Sequence, residues 1–228
     1  MLKVNYAKEL DHIIETIKQE GGGEKKTLLL HSCCAPCSSY VLEYLREFFA
    51  VTVFYYNPNI SEEKEYRKRV EEQKRLILEY NRQVESGCFE GMYSTALAQP
   101  IHIIEGAYEP ERFYSLAKGL EQCPEGGERC FRCYELRLME TARLAAEQQF
   151  DYFTTTLTIS PLKNAAKLNE IGERLGAEYG IPFLPSDFKK KNGYKRSVEL
   201  SAQFGLYRQD YCGCVYSKYS GKHSQRRD

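Results

Sequence analysis

The sequence predicts an α/β fold in which an open, mainly parallel sheet is flanked by helices. Short apolar runs alternate with longer charged segments whose apolar residues recur at helical spacing. Strands that alternate with helices favour right-handed crossovers and a parallel sheet. Chemically unusual residues follow several of the apolar runs, as is typical of the carboxyl ends of strands in such sheets.

The predicted elements begin with an amphipathic helix at residues 6–19, whose apolar face contains Leu10, Ile13, Ile14 and Ile17. Glycines at positions 21–23 then form a flexible joint. A strand at residues 27–30 leads into a helix at 36–49, where Pro36 suits the first turn, and a second strand follows at 51–56. We expect Ser61 to cap the next helix, whose buried face contains Tyr66, Val70, Ile77 and Tyr80.

Three further strands are predicted at residues 101–104, 152–156 and 181–184. A helix between the first and second of these strands has an apolar face formed by Tyr134, Leu138, Ala142 and Ala145. A helix between the second and third strands has an apolar face formed by Leu168, Ile171, Gly172 and Leu175. We therefore expect an N-terminal accessory helix with its joint at 1–23, one α/β domain at 24–217 that contains the candidate metal ligands, and a polar, basic tail at 218–228.

Charge and hydropathy narrow the class of protein. The 32 basic and 32 acidic residues cancel, so contact with a nucleic acid requires a local basic patch. The first twenty residues lack the apolar core of a signal peptide, and no apolar run reaches the length of a membrane span. We expect a cytoplasmic protein without a membrane partner, in a compartment where thiols stay reduced.

Seven of the nine cysteines form three short clusters: Cys33–Cys34–Cys37, Cys130–Cys133 and Cys212–Cys214. Cys34 and Cys37 form a C-x-x-C at a strand-to-helix junction, where unpaired N–H groups favour the thiolate. Alone, this pair is typical of a thiol–disulfide exchange site, but exchange has no need of the adjacent Cys33. On an extended backbone, Cys212 and Cys214 would point to the same side.

The number of clustered thiols indicates the kind of site. Seven thiols exceed the four that a tetrahedral zinc ion binds. A four-iron cluster takes four thiolates and would leave three for a neighbouring metal or for catalysis. Zinc alone and thiol redox chemistry remain alternatives at this point. Cys88 and Cys123 stand apart, and we interpret both as ordinary loop thiols.

Several motifs, in this order, resemble those of the epoxyqueuosine reductase QueH family. Residues 28–37 (LLLHSCCAPC) resemble its opening motif, and 57–60 (NPNI) with Glu65, Tyr66 and Arg69 its second. Residues 128–134 (ERCFRCY) resemble the third, and 154–157 (TTTL) with 160–163 (SPLK) the fourth. Residues 187–190 (DFKK) and 207–214 (YRQDYCGC) complete a resemblance over 28–217. The chain departs from the family pattern at Cys88, at Cys123 and around residues 84–99.

The resemblance implies a nucleotide-hydrolase-like, Rossmann-type fold. It also implies the last step of queuosine synthesis, in which the epoxide of epoxyqueuosine at the tRNA wobble position is reduced to the alkene. The implied cofactors are a 4Fe–4S cluster and an adjacent mononuclear iron, held by cysteines and an aspartate. An electron donor such as a ferredoxin or flavodoxin would be a partner. No glycine-rich phosphate loop follows the first strand, where cysteines stand instead.

We expect the cluster to be bound by Cys33, Cys34, Cys130 and Cys133, and the metals together to take all seven clustered cysteines. Asp187 is the candidate carboxylate ligand and catalytic residue, because oxygen donors suit a substrate-facing iron; a helix N-cap is its alternative role. His31 is a candidate proton donor. Basic residues at 189–191, 195–196 and in the tail are candidates for tRNA phosphate contacts, and four tyrosines for base stacking: Tyr207, Tyr211, Tyr216 and Tyr219.

Two other function classes fit parts of the pattern. The first is a thiol–disulfide oxidoreductase that uses Cys34 and Cys37. The second is a zinc-binding module that interacts with RNA without catalysis. Both predict a colourless protein, whereas an iron–sulfur enzyme purified without oxygen is brown.

Overall fold

A single parallel sheet organises the protein. The computed structural model describes residues 4–20, 23–89 and 97–218. Its strands are β1 (Thr27–His31), β2 (Ala50–Tyr55), β3 (His102–Glu105) and β4 (Tyr152–Thr155), in the order β3-β2-β1-β4. All neighbouring strands run parallel. The predicted α/β fold with a mainly parallel sheet is confirmed.

Helices follow the strands in chain order. The first part of the chain forms α1 (Tyr6–Glu20), α2 (Ala35–Leu45) and α3 (Glu63–Ser86), and α3 ends at the left-handed Gly87. Between β3 and β4 lie α4 (Pro110–Ala117) and α5 (Glu128–Glu147). A short 3-10 helix (Thr156–Ile159), α6 (Ala165–Tyr179) and α7 (Gly193–Gln203) follow β4. Within the described residues, no helix combines the length and apolarity needed to cross a membrane.

The alternation of side chains along β1 builds a core on each face of the sheet. Leu28 and Leu30 pack on the side of α2, in a core that Leu10 and Ile14 of α1 also enter. Leu29 packs on the opposite side, against α5 and α6. The accessory helix therefore shares the core of the first layer. Residues 21, 22 and 219–228, which belong to the predicted joint and tail, lie outside the described residues.

The structure differs from the predicted elements in several places. The helices α4 and α7 were not predicted; they are short, with 8 and 11 residues. Residues 181–184 form a single parallel bridge, Phe153 to Phe183, rather than a strand. The prediction that Ser61 caps α3 is wrong, because Glu62 is the N-cap residue and the Ser61 hydroxyl is used elsewhere.

The strand order creates a switch point between β1 and β4. From β1 the chain continues to β2 on one side, and it later returns to β4 on the other. Crevices that bind ligands form at such points, beyond the carboxyl ends of the strands. His31 ends β1 opposite Thr155 of β4, and the Cys33 N–H donates to Thr156 Oγ1 at 3.3 Å. The first cysteine cluster thus begins at the switch point.

Candidate metal centre

The first group of thiols lies at the junction of β1 and α2. Cys34 is the N-cap residue of α2, with extended backbone and no side-chain cap hydrogen bond, and Pro36 stands in the first turn. The sulfurs of Cys33, Cys34 and Cys37 all lie within 4.8 Å of one another. Three thiols at this separation can bind one metal ion, and we refer to them as the three-thiol group.

The three-thiol group holds its negative charge on one sulfur. Hydrogen bonds from the Cys34 and Cys37 thiols, followed by the charges of Arg137 and Lys163, lower the pKa of Cys33 well below its usual value despite burial. The hydrogen bond with Cys33, together with burial, raises the pKa of Cys34 to about 12, and the same causes raise that of Cys37. Because the thiolate is the ligand form, metal binding here must release protons.

Two further thiols stand at the start of α5. Cys130 and Cys133 are three residues apart and so share one face of the helix. The Gly126 N–H donates to Cys130 Sγ at 3.3 Å, and Gly126 has a φ of 83°, a conformation that favours glycine. Burial raises the pKa of both thiols. Both stand in the first turns of a helix that follows two glycines.

Cys212 and Cys214 occupy a loop between α7 and the end of the described chain. Their sulfurs lie 3.5 Å apart, as the sequence predicts. The predicted extended backbone is wrong, because Gly213 has a φ of 109°. A Cβ at this position would lie 2.8 Å from Ile60 Cγ1 and 3.3 Å from Arg69 Nη1, so both the conformation and the space require glycine.

Polar groups from the β2–α3 segment hold this loop. The Ser61 N–H donates to the Gly213 carbonyl at 3.1 Å, and the Ser61 hydroxyl accepts from the Val215 N–H at 2.7 Å. Asn59 Nδ2 and Arg69 Nη1 donate to the Cys212 carbonyl at 3.2 and 3.3 Å. These contacts bring the loop to α5, where Cys133 and Cys214 enter one buried cluster with Phe113.

Four thiols therefore line one small cavity, and we refer to Cys130, Cys133, Cys212 and Cys214 as the four-thiol group. Its charge also resides on one sulfur. The hydrogen bond from Cys214, followed by the Lys163 charge and the Ser217 hydroxyl, lowers the pKa of Cys212 well below its usual value despite burial. The hydrogen bond with Cys212 and burial raise the pKa of Cys214.

A larger cavity of about 630 Å³ adjoins both groups. Cys33 and Cys37 line it from the three-thiol group, and Cys212 from the four-thiol group. Four residues line both this cavity and the smaller one: Glu125, Arg137, Lys163 and Cys212. These shared residues place the two thiol groups next to each other, and a molecule bound in the larger cavity could contact both groups.

Arg137 is buried between the two groups. Its guanidinium donates to Asn57 Oδ1 at 2.7 Å, to Cys133 Sγ at 3.9 Å and to His31 Nε2 at 3.3 Å. The negative charge that Cys133 and Cys33 carry when ionised raises the pKa of Arg137 despite burial. Arg137 supplies a permanent positive charge beside sulfurs that carry negative charge, a role the sequence analysis did not assign. The spacing of four residues from Cys133 on one helix is the signal that would have indicated it.

The structure does not bring Asp187 to the cysteines. The Lys189 ammonium forms an ion pair with its carboxylate, and Asp187 lines a separate small cavity beside Tyr40 and Tyr44. Asp187 is not an N-cap residue of any described helix either. Within the described residues, the carboxylates that line the larger cavity belong to Glu125 and Asp210.

The remaining candidates divide between the site and the surface. Tyr211 lines the larger cavity, whereas the Tyr207 hydroxyl donates to Glu65 and Tyr216 packs over the Arg129 guanidinium. Arg208, which was not among the candidates, also lines the larger cavity. Carboxylates pair with three of the predicted phosphate-binding residues: Lys189, Lys191 and Arg196. Cys88 is exposed and Cys123 half-buried, and neither lines the two cavities. Tyr219 and the basic tail from 219 onward lie outside the described residues.

Together, the fold and the site define an α/β protein with a thiol-rich candidate metal centre at the switch point of its sheet. The chain belongs to the epoxyqueuosine reductase QueH family, because the family model matches residues 28–220. It is 41% identical to the epoxyqueuosine reductase QueH of Staphylococcus epidermidis, over 94% of this chain and 85% of that protein.

Two other relatives with the same name extend the comparison. The one from Streptococcus pyogenes is 39% identical over 94% of this chain and 78% of its own length. The one from Thermotoga maritima is 35% identical over 84% of this chain and 90% of its own length. The resemblance found in the sequence is confirmed, and so is the prediction that the chain is an oxidoreductase enzyme.

Proposed function

We propose that this chain reduces the epoxide of epoxyqueuosine in tRNA to the alkene of queuosine. The observation that carries the proposal is the convergence of seven thiols, in two groups, beside two adjoining cavities at the switch point of the sheet. Relatives named epoxyqueuosine reductase, which align with most of the chain, support the choice of substrate.

The four-thiol group fits a 4Fe–4S cluster in number and charge. Such a cluster takes four thiolates, which Cys130, Cys133, Cys212 and Cys214 would supply, and Arg137 and Lys163 offset their charge. This grouping replaces the expected set of Cys33, Cys34, Cys130 and Cys133, because Cys33 and Cys34 lie with Cys37 instead. When bound, the cluster would supply electrons one at a time.

The three-thiol group fits the proposed mononuclear iron. Cys33, Cys34 and Cys37 converge on one point beside the larger cavity, so an ion held there would face the substrate and act as a Lewis acid. An oxygen ligand would complete a mixed donor set. Glu125 and Asp210 replace Asp187 as candidates for that ligand, since they line the cavity and Asp187 does not.

The larger cavity suits an extruded nucleotide. Its volume of about 630 Å³ lies within the range of small-molecule sites. Tyr194, Tyr211 and Arg208 line it, and rings and guanidinium planes are the groups on which proteins stack flipped-out bases. We therefore propose that the wobble nucleotide leaves the anticodon stack and enters this cavity.

Phosphate contacts of the tRNA must come from cations that protein carboxylates do not neutralise. An acidic residue pairs with each of Lys189, Lys191 and Arg196. These ion pairs argue against phosphate contacts by the basic run at 189–196. Arg208 is exposed and stands on the cavity wall, with its guanidinium donating only to the Ser201 hydroxyl among the described residues. We propose Arg208 as a phosphate contact, so tRNA binding should weaken as salt is added.

Two features weigh against the other function classes. A thiol–disulfide oxidoreductase that attacks through Cys34 needs a thiolate there, but Cys34 is buried and its pKa is raised to about 12. A single zinc ion would use only one of the two thiol groups. We also propose a cytoplasmic location, in keeping with nine free thiols, and an electron donor of the ferredoxin or flavodoxin class.

Turnover of a defined substrate tests the proposal. The protein is purified and reconstituted with iron and sulfide without oxygen, then mixed with an anticodon stem–loop that contains epoxyqueuosine and with dithionite. Mass spectrometry of the nucleosides should show loss of one oxygen atom and formation of queuosine. A brown, iron-loaded protein that leaves epoxyqueuosine intact under these conditions would refute the proposed function. The same stem–loop with an unmodified wobble guanosine serves as the control.

A further inference from the structure

Exposed apolar side chains gather at the opening of the larger cavity. Leu162 is 74% exposed, the largest exposed fraction among the large apolar side chains that the structure describes. Tyr194 and the exposed Pro161 line the cavity with it, and the exposed Val198 follows Tyr194 one turn later on α7. Exposed apolar residues that stand singly are common on proteins, whereas several at one cavity indicate a binding surface. We refer to these four residues as the apolar rim.

Leu162 is presented from a fixed turn. Its N–H donates to the Ser160 hydroxyl at 3.3 Å, and the Lys163 N–H donates to the Ser160 carbonyl at 3.2 Å. The short 3-10 helix precedes this turn, and α6, which Asn164 caps, follows it. Pro161 further restricts the backbone. Because the turn is already ordered, contact between Leu162 and a ligand would cost little conformational entropy in the backbone.

The charge around the cavity indicates the chemistry of the partner. Within the described residues, two carboxylates line the larger cavity, Glu125 and Asp210. They are outnumbered by four cationic side chains: Arg69, Arg137, Lys163 and Arg208. A surplus of positive charge suits phosphate groups, and an apolar rim suits the flat faces of bases. A single-stranded RNA loop combines both, so it fits this surface.

We propose that Leu162 is a wedge that takes the place of the wobble nucleotide in the anticodon stack when this nucleotide enters the larger cavity. This inference rests on the proposed function and assigns a positioning residue to it. Extrusion of a nucleotide leaves the face of its neighbouring base uncovered, and this loss of stacking opposes the extrusion. Apolar side chains, leucine among them, insert between bases in other complexes of proteins with nucleic acids.

Contact between Leu162 and the uncovered base would remove two apolar surfaces from water at once, which favours the extruded state. Leu162 suits this role better than Tyr194 or Val198. Those two side chains are only 41% and 40% exposed and belong to α7, whereas Leu162 stands on a turn and is 74% exposed. The cavity that would receive the nucleotide begins at Leu162 itself.

The test compares L162A and L162M with a matched control, L78A. Leu78 is also an exposed leucine, but it stands on α3 and lines neither cavity of the site. Each protein is reconstituted without oxygen, and its iron per chain is measured. Single-turnover formation of queuosine with dithionite is then followed on two stem–loops that contain epoxyqueuosine. One loop is intact, and in the other the 3′ neighbour of the wobble nucleotide lacks its base.

A third stem–loop reports the extrusion itself. It contains epoxyqueuosine at the wobble position and 2-aminopurine at the 3′ neighbour, and it is mixed with protein in the absence of dithionite. The fluorescence of 2-aminopurine rises when the base stacked on it leaves. The rise therefore measures how completely the wobble nucleotide moves out of the stack, independently of the reduction.

We expect L162A to reduce the intact loop about tenfold more slowly than L78A does, because burial of the leucine no longer offsets the lost stacking. On the loop without the neighbouring base, both variants should react at the same rate, since no stack has to be replaced. L162M should recover most of the rate, because methionine is also long and apolar. Binding should raise the fluorescence less in L162A than in L78A, and iron per chain should be equal in both.

Three results would overturn the role of Leu162. They are turnover of the intact loop by L162A at the L78A rate, an equal loss of rate on both loops, and a fluorescence rise in L162A as large as that in L78A. An equal loss on both loops would indicate a structural role. If the wild-type protein forms no queuosine from the intact loop, the proposed function fails and this inference with it. If the wild type and L78A form queuosine and one of the three results is found, the inference alone fails.

Discussion

The guanidinium of Arg137 donates to the imidazole of His31 at 3.3 Å, and both side chains are buried. Burial, followed by the Arg137 charge, lowers the pKa of His31 to about 3. His31 is therefore neutral near pH 7, with its ring nitrogens also 2.9 Å from Thr155 Oγ1 and 3.1 Å from the Tyr56 carbonyl. It links β1 to β4 and to the residue after β2 at the switch point, and it lines neither of the two cavities.

Removing the Arg137 charge should destabilise the protein. Arg137→Met would leave Asn57 Oδ1 and the Cys133 thiol buried without their donor, so we expect a loss of about 3 kcal/mol in the free energy of unfolding. Anaerobic urea unfolding of the metal-free protein measures this loss.

A second arginine on the same helix provides the control. Arg132 is exposed and pairs with Glu128 four residues earlier, so Arg132→Met should change the free energy of unfolding by no more than about 0.5 kcal/mol. Equal losses in the two variants would contradict the account of Arg137 as the buried charge of the site.

Glu43 should make stability depend on pH. Burial, opposed by Arg196, raises the pKa of this carboxyl from 4.5 to about 7. Between these values the folded state binds the proton more tightly than the unfolded state. The contribution of Glu43 to stability is therefore present at low pH and is lost as pH rises from about 4.5 to 7.

The variant Glu43→Gln should remove this dependence. Relative to the wild type, its free energy of unfolding should rise by roughly 3 kcal/mol between pH 4.5 and pH 8. Glu199→Gln, which alters the exposed partner of the same Arg196, should keep most of the wild-type pH dependence, because the Glu199 charge is the smallest cause of the raised pKa of Glu43. Parallel pH profiles of unfolding free energy for the wild type and Glu43→Gln would contradict this prediction. They would show that the Glu43 carboxyl has the same pKa in the folded and unfolded states.

Gly213 should be needed for metal binding rather than for folding alone. In Gly213→Ala the new Cβ meets Ile60 at 2.8 Å, and the backbone that brings Cys212 and Cys214 together is strained. We expect iron per chain to fall after reconstitution. Gly205 also has a positive φ but open space around it, so Gly205→Ala should cost about 1 kcal/mol of stability and keep its iron. Full iron in Gly213→Ala would refute this role.

The sequence was a good guide where local pattern decides the structure. Apolar runs with polar residues after them predicted β1, β2 and β4 and the position of the first thiols, because parallel strands end at one edge. The helices α4 and α7 were missed; with 8 and 11 residues they show fewer helical repeats of apolar residues than α3 or α5. Ser61 looked like a cap, but its hydroxyl holds the distant loop at Val215.

How the seven thiols divide into two groups depends on contacts between distant segments of the chain. The sequence alone therefore could not predict this division. Spacing along the chain separates the cysteines into groups of three, two and two. The last two groups merge only because Asn59, Ser61 and Arg69 hold the loop around Gly213 against α5. Lys163 belongs to the motif at 160–163, but nothing in that motif indicates that two cavities meet at this residue.

We propose that the four-thiol group and the three-thiol group hold different metals beside one substrate cavity. Mössbauer spectroscopy of anaerobically reconstituted Cys33→Ser/Cys37→Ser, with Cys130→Ser/Cys133→Ser as its counterpart, tests this directly. We expect Cys33→Ser/Cys37→Ser to keep the signal of about four irons in one cluster and to lose only a separate iron. We expect Cys130→Ser/Cys133→Ser to lose the cluster signal. Loss of the cluster signal from Cys33→Ser/Cys37→Ser, or a wild-type protein whose iron all lies in one four-iron cluster, would contradict it.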